Sequence, residues 1–431
     1  MITRREFSKV LLAAGTANLA LESAFAAAES NVPAEPQSTN QMCDLLIKGG
    51  TVIDPSQQLH APMDVAVKDR KIFEVARDIP ESRALQVYSA KDRVVTPGWI
   101  DLHTHCNDGV ATGFNADHYC LGRGTTTCVD AGSTGFVTVG PFIRDVVRPS
   151  NTRIHPLVEI GVLGTLIFRQ WPHYMRDLYN MHWVLPDKVA NAVRDNRPDT
   201  VGVKIHLDRE ISTSPLEFEM ALMKKAVEAA ELCHQPMMVH ALNCANPLPD
   251  LMKLMRKGDV LTHCYNGFPN GILDDNGKIR SGIREARERG ILFDVAEGHV
   301  SISFAVAEKA LQQDFLPDTI SSDLTVWATS HTTGDLPNVA STMMAFGMSL
   351  DQVIAGLTAK PAQTFDFGIQ IGTLKPGAEA DISIFELREG NFEFIDNYSA
   401  DAGGQPVTKM GRQKLVNKAV VCRGQLWVNQ L

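Results

Sequence analysis

His103 and His105 stand one residue apart in the stretch PGWIDLHTHC, at the end of an apolar, strand-like run. Successive strand side chains point to opposite faces, so the two imidazoles share one face. Two imidazoles so placed could ligate a metal, but a bare H-x-H pair is easily coincidental, and a lone histidine is more often structural. The pattern gains weight from elsewhere in the chain. In VGVKIHL, alternation puts Val201, Val203, Ile205 and Leu207 on one face and Gly202, Lys204 and His206 on the other. The branched face suits packing under helices, which turns Lys204 inward. A buried ammonium is costly unless the amine is neutral or has become a cation-binding carbamate. His240 ends PMMVHAL, His263 lies in DVLTHCYNG and Asp323 in TISSDL. Taken singly, Lys204 could be a surface lysine and Asp323 a helix N-cap. Six residues of ligand type at the ends of five runs are difficult to ascribe to coincidence.

The elements that would hold them alternate regularly. Short apolar runs at 99–105, 125–133, 155–164, 201–207, 236–242, 259–267, 291–298 and 319–324 are separated by helical stretches such as PLEFEMALMKKAVEAAELC and SGIREARERG. Eight buried strands with crossovers predict an α/β fold, a (β/α)8 TIM barrel over 99–368, whose functional residues belong at the C-terminal strand ends. Strand patterns on both flanks, 43–98 and 369–431, predict a small β-sandwich domain built from both. Its first part includes a hairpin turning near Asp69-Arg70, although no glycine marks that turn.

Residues 1–28 carry Arg4-Arg5, then Phe7 and Lys9, a modest apolar stretch and A-x-A cleavage sites. The RREFSK order resembles a twin-arginine (Tat) signal, which implies export to the periplasm; an anchor or a cytosolic tail are the alternatives. The run Val10 to Ala20 is too short to span a bilayer, which takes about 20 apolar residues. Residues 29–42, polar and proline-containing, read as a linker. The net charge of −9, without a long basic run, argues against a nucleic-acid partner. Eight cysteines lack C-x-x-C spacing and read as mostly free, buried thiols, because a Tat passenger is expected to fold before it crosses.

The order HTH, VKIH, VH, LTH, SSDL is similar to that of the amidohydrolase superfamily, in the subtype with a carboxylated lysine between two metals. GTLKPGAEADISIFEL resembles its C-terminal β segment. GTTTCVDAGS, DVLTHCYNG, GILFDV and PDTISSDL resemble a dihydroorotase-like branch described as deacetylases. The resemblance runs from about residue 44 to the end. It implies that His103, His105 and Asp323 bind one divalent ion and His240 and His263 another, most simply zinc, with a CO2-derived carbamate on Lys204 bridging. It further implies hydroxide attack on an amide or ester, with Asp323 shuttling the proton.

The substrate would be a small acylated acid such as an N-acyl amino acid or acylated hydroxy acid. A cyclic amide, as for dihydroorotases and hydantoinases, is the main alternative; a deaminase or an inactive scaffold are lesser ones. Arg209 could hold a carboxylate bidentately or merely pair with Asp208 or Glu210. His206 could line the pocket or fill the barrel; His299, Glu297 and His331 are further pocket candidates. The branch pattern has a histidine between glycines after GILFDV, where this chain has Ala296-Glu297-Gly298 and then His299. It has Asp-Leu-His where this chain has Thr325. Superfamily members are commonly oligomeric, which leaves a homo-oligomer open without the sequence deciding it, and no membrane span is expected.

Overall fold

Apolar runs broken by polar turns become strands wherever both faces can be covered. A computed structural model describes residues 42–431 apart from 111, 168–177, 179, 209–215, 299, 331–333, 402, 430 and 431. The expected export signal, all of the linker except residue 42, and Arg209, His299 and His331 lie outside the described residues.

The N-terminal flank forms β1 (Cys43–Asp54), β2 (Leu59–Lys68), β3 (Lys71–Ala76), β4 (Ala84–Ser89) and β5 (Val94–Pro97). β2 and β3 pair antiparallel across Asp69-Arg70, and both turn residues have positive φ, 50° and 63°. The two-residue hairpin is therefore made without glycine, at the steric expense of two left-handed L-residues. The C-terminal flank supplies β13 (Ile382–Asp396), β14 (Val407–Cys422) and β15 (Gln425–Val428). β5 pairs antiparallel with β13, so the two flanks join in one eight-stranded sheet. A buried cluster including Val52, Val67, Ile72, Val95, Ile382 and Val421 covers one face.

Between the flanks run β6 (Trp99–Thr104), β7 (Thr125–Gly135), β8 (Arg153–Glu159), β9 (Gly202–Asp208), β10 (Met237–Leu242), β11 (Val260–Thr262) and β12 (Leu292–Phe293). They form a parallel sheet in sequence order. Almost every residue of these strands is buried, as expected of parallel strands covered on both faces. The helices Leu216–Cys233 and Ser281–Glu288 match the expected crossovers. The eighth run, 319–324, differs from expectation because it forms no ladder. Single parallel bridges join Thr319 to Asp294 after β12 and Leu324 to Thr104 of β6. Backbone bonds still join this run to its neighbours. The Val295, Glu297 and Gly298 amides donate to the Thr319, Ser321 and Ser322 carbonyls, and the His105 amide donates to the Leu324 carbonyl. Side chains add to these. Thr319 Oγ1 and Ser321 Oγ donate to Asp294, and the Ser322 amide and hydroxyl donate to Asp101.

The two sheets meet where β5 passes into β6. Trp99 stacks on Phe385 with ring centroids 4.0 Å apart, and its indole N–H donates to Thr96 Oγ1 at 3.1 Å. A Cβ at Gly98 would come within 2.3 Å of Thr126 Oγ1, so close backbone approach requires the glycine. All eight cysteines are buried thiols. No helix among the described residues is long and apolar enough to cross a membrane.

Arg153, at the start of β8, ties the sheets together: its Nε donates to Asp381 Oδ2 at 2.8 Å and its Nη2 to Glu379 Oε2 at 2.6 Å. Asp381 is only 2% exposed. Removing one partner of a buried ion pair strands the other, so Arg153→Met is expected to lower the unfolding free energy by about 3 kcal/mol. Urea denaturation measures this, and a loss below about 1 kcal/mol contradicts the assignment.

Candidate metal centre and active site

Most of the donor residues sit toward the C-terminal ends of the parallel strands. His103 is the penultimate residue of β6 and His105 follows that strand; Lys204 and His206 lie on β9, His240 on β10 and His263 just past β11. Asp323 comes from the segment after β12. His263 and Asp323 have left-handed backbones, φ 56° and 50°. Such strained non-glycine residues persist only where their surroundings hold them, commonly at functional sites.

His103 Nε2 and His105 Nε2 each lie 3.3 Å from Asp323 Oδ1, and one donor atom from each of these three residues falls within 4.8 Å of the others. Lys204 Nζ is 3.2 Å from His103 Nε2, and His263 Nε2 is 3.0 Å from His240 Nδ1 and 3.8 Å from Asp323 Oδ2. All six residues thus belong to one contiguous cluster. His206 adjoins it, with its ring centroid 5.0 Å from that of His240, and holds Glu159 Oε2 through Nδ1 at 2.6 Å.

Hydrogen bonds behind the imidazoles fix which nitrogen faces the centre. His103 Nδ1 is 2.8 Å from Thr262 Oγ1, and the Thr262 hydroxyl donates to Asp294 Oδ2, also at 2.8 Å. With its one proton given to the carboxylate, that hydroxyl must accept from His103 Nδ1–H, leaving Nε2 as a bare lone pair. His263 Nδ1 lies 2.8 Å from the Ala296 carbonyl oxygen, which only accepts, so its Nε2 is bare as well. His103 Nε2 and Asp323 Oδ1 are then two acceptors face to face, a repulsive pairing until a cation lies between them. Among the described residues His240 Nε2 is buried with no partner at hydrogen-bonding distance, and Asp208 Oδ2 lies 3.7 Å away. A divalent ion that takes nitrogen and oxygen ligands fits this donor set.

Electrostatics lead to the same point. Burial drives Lys204 down to about 8, against the opposing pull of Asp323 and Glu159, so an appreciable fraction of its amine is neutral near physiological pH. Burial, and then Lys204, hold His103 well below the ordinary imidazole range, and burial brings His263 to about 3. Burial alone would raise Asp323, but the His105 hydrogen bond and the facing imidazoles outweigh it and leave the carboxyl lowered.

The cluster opens into a cavity of about 230 Å³. His105, His206, His240 and Asp323 lie on its wall, with Phe268 and Trp327 among the apolar residues. Thr325 and Asp208 also line it, whereas Glu297 is buried and is not on the wall among the described residues. Gly298, at φ 54°, clears space for the carboxylate: a Cβ there would lie 2.2 Å from Asp323 Oδ2. Gly132 does the same for Lys204, whose Cγ would be 2.7 Å from a Cβ at that position.

Sequence reasoning missed the supporting carboxylates. Asp101 accepts from the His103 amide at 3.3 Å and from both donors of Ser322, tying β6 to the segment that carries Asp323. Asp294 collects Thr262, Thr319 and Ser321, and Glu159 holds His206. Their signal was present as single acids inside apolar runs, in WIDL, ILFD and PLVE. Thr262→Val removes the acceptor that orients His103. By analogy with other metal-site supports, it is expected to weaken divalent-ion affinity about 10–100-fold. A competition titration against a chelating dye reads this, and unchanged affinity contradicts it.

Comparison with known proteins follows the same lines. A deacetylase of Enterococcus faecalis is 29% identical over 395 residues, covering 90% of this chain and 99% of that protein. A dihydroorotase of Aquifex aeolicus is 24% identical over 434 residues, covering 88% and 97%. A crystal structure described as an adenine deaminase matches with a TM-score of 0.76 at 29% identity, over 90% of this chain and 100% of that one. A dihydroorotase structure reaches 0.77 at 24% identity, over 89% and 97%, a likeness of fold. The fold is of the TIM-barrel type with mixed α/β content. The amidohydrolase family model matches residues 94–426, and the chain belongs to that family of hydrolases.

Proposed function

We propose that this enzyme removes an acyl group, by amide or ester hydrolysis, from a small acylated acid such as an N-acyl amino acid or an acylated hydroxy acid. The carrying observation is the pair of facing acceptors, His103 Nε2 and Asp323 Oδ1, beside His105, with Lys204 and the His240–His263 pair adjoining. On this reading His103, His105 and Asp323 hold one divalent ion, and His240 and His263 hold a second. Lys204, once converted to a carbamate, would serve as a ligand to both, and zinc would suit the ligand types. Bound ions of this kind lower the pKa of water and polarise a carbonyl.

The chain's own groups would supply the rest. Asp323, open to the cavity and a carboxylate at neutral pH, accepts the proton of the attacking water and returns it to the leaving group. Phe268 and Trp327 offer an apolar surface on one side of the cavity. Lys204 must shed its proton before it can take up carbon dioxide, and burial favours this. His206, buttressed by Glu159, presents an imidazole from the cavity wall; Arg209 and His299 stay candidates for substrate binding on their sequence positions alone.

Support for deacylation comes from the deacetylase-named relatives. One in Brucella anthropi is 27% identical over 78% of this chain and 82% of its own length. A second reading, opening of a cyclic amide, draws on the dihydroorotase relative and fold neighbour. Export, the expectation drawn from the RREFSK stretch, weighs against the pyrimidine-synthesis form of that reading, and on that expectation the enzyme would work on a small molecule in the periplasm. A homo-oligomer accords with the superfamily's habit.

Assaying acetate release, ring opening and ammonia release over one panel of N-acetyl and O-acetyl acids, cyclic amides and aminopurines separates these chemistries. Acetate release by at least one acylated acid is expected; ring opening or ammonia release alone overturns the proposal. Asp323→Asn is expected to retain much of its metal while kcat falls by about 100- to 10,000-fold. Near-normal turnover would remove the proton-shuttle role.

A further inference from the structure

The β2–β3 turn, Asp69-Arg70, and the β14–β15 turn, Arg423-Gly424, abut each other. Arg70 Nε donates to the Arg423 carbonyl oxygen at 3.2 Å, and a Cβ at Gly424 would lie 2.8 Å from Arg70 Cα. Arg70 and Arg423 both occupy left-handed backbone, φ 63° and 52°. With Arg148 and Trp427 they line a cleft of about 440 Å³. The cleft lies beside the residues that lead into β8, at the opposite end of that strand from the donor cluster.

Two N–H donors on residues of this cleft, Arg423 Nε and Trp427 Nε1, are buried and have no acceptor among the described residues. Buried donors left unmet are uncommon, because each forfeits its hydration without return. Nearby carboxylates are already engaged. Asp381 takes Arg153 Nε and the Arg423 backbone amide, and Asp117 takes the Ser150 hydroxyl and the amides of Asn151 and Thr152. Asp199 pairs with Arg148 at 3.5 Å. Asp117, bonded by neutral donors alone, keeps its charge, so three guanidinium groups against it and Asp199 leave about one positive charge uncompensated, and two arginine-bearing turns are held in contact despite their like charge.

We propose that this cleft is a binding site for a small divalent oxyanion of the phosphate class. Guanidinium forks match such oxygens bidentately, and the indole N–H adds a neutral donor. Ser150 and Asn151, whose donors serve Asp117, are not needed as ligands. The anion would pin the β2–β3 and β14–β15 turns to the segment that leads into β8, so its binding stabilises the folded chain by mass action.

The test titrates inorganic phosphate into the full chain at constant ionic strength, balanced with sodium chloride, reading tryptophan fluorescence and Tm. A saturable fluorescence change that disappears in Trp427→Phe, together with a rise in Tm, is expected. Arg423→Gln should weaken the apparent affinity at least about tenfold, the scale of one charge-assisted hydrogen bond. Arg70→Gln, on an exposed turn, serves the same purpose if the first variant does not fold. Absence of saturation overturns the proposal. So does an equal response to sodium acetate, or a phosphate response unchanged in the arginine variants.

Discussion

Bringing a lysine, four imidazoles and a carboxylate together away from water is the constraint on which the rest of this molecule turns. Each group would be hydrated if left alone, and together they present lone pairs to one another. The face-to-face placement of His103 Nε2 and Asp323 Oδ1, 3.3 Å apart, is tolerable only with positive charge between them. Lys204 can supply some of that charge as an ammonium, but its own burial works against keeping the proton. The cluster is therefore built to want a cation whose charge does not rest on keeping a proton, which is what a divalent metal offers.

The surrounding structure reads as the scaffold for that demand. Parallel strands end at a common rim, and strand alternation aims alternate side chains inward. Behind them, Asp294 fixes the His103 tautomer through Thr262, and the same carboxylate holds Thr319 and Ser321. Asp101 joins the His103 backbone to Ser322, one residue before Asp323. The final segment, with only single bridges to its neighbours, is held by these two buried acids together with backbone bonds to residues 293–298 and 105. That arrangement also explains how Asp323 can keep a left-handed backbone, with Gly298 giving its carboxylate room.

Much of this was legible in the sequence because it rests on periodicity. Period-two alternation in VGVKIHL sufficed to turn Lys204 inward, and the recurrence of apolar runs gave the order of the parallel strands. The joining of the two flanks in one β domain could be anticipated from their strand patterns, although the antiparallel pairing of β5 with β13 could not. What escaped were contacts set by tertiary geometry. Nothing local marks Asp101 and Asp294 as partners of serines and threonines in the last segment, more than two hundred residues away in the case of Asp101 and Ser322. The missing ladder at 319–324 was equally hidden, because TISSDL looks like any strand until its hydroxyls find those acids. The substrate-facing residues were the least legible, since loops owe their shape to the whole rim rather than to their own pattern.

The central claim, that these six donors exist to grip divalent ions, is tested most directly by elemental analysis of the full chain purified with bicarbonate and without chelator. The account predicts close to two equivalents of zinc or a similar transition metal per chain. Less than one equivalent, persisting after incubation with zinc and bicarbonate, would contradict it.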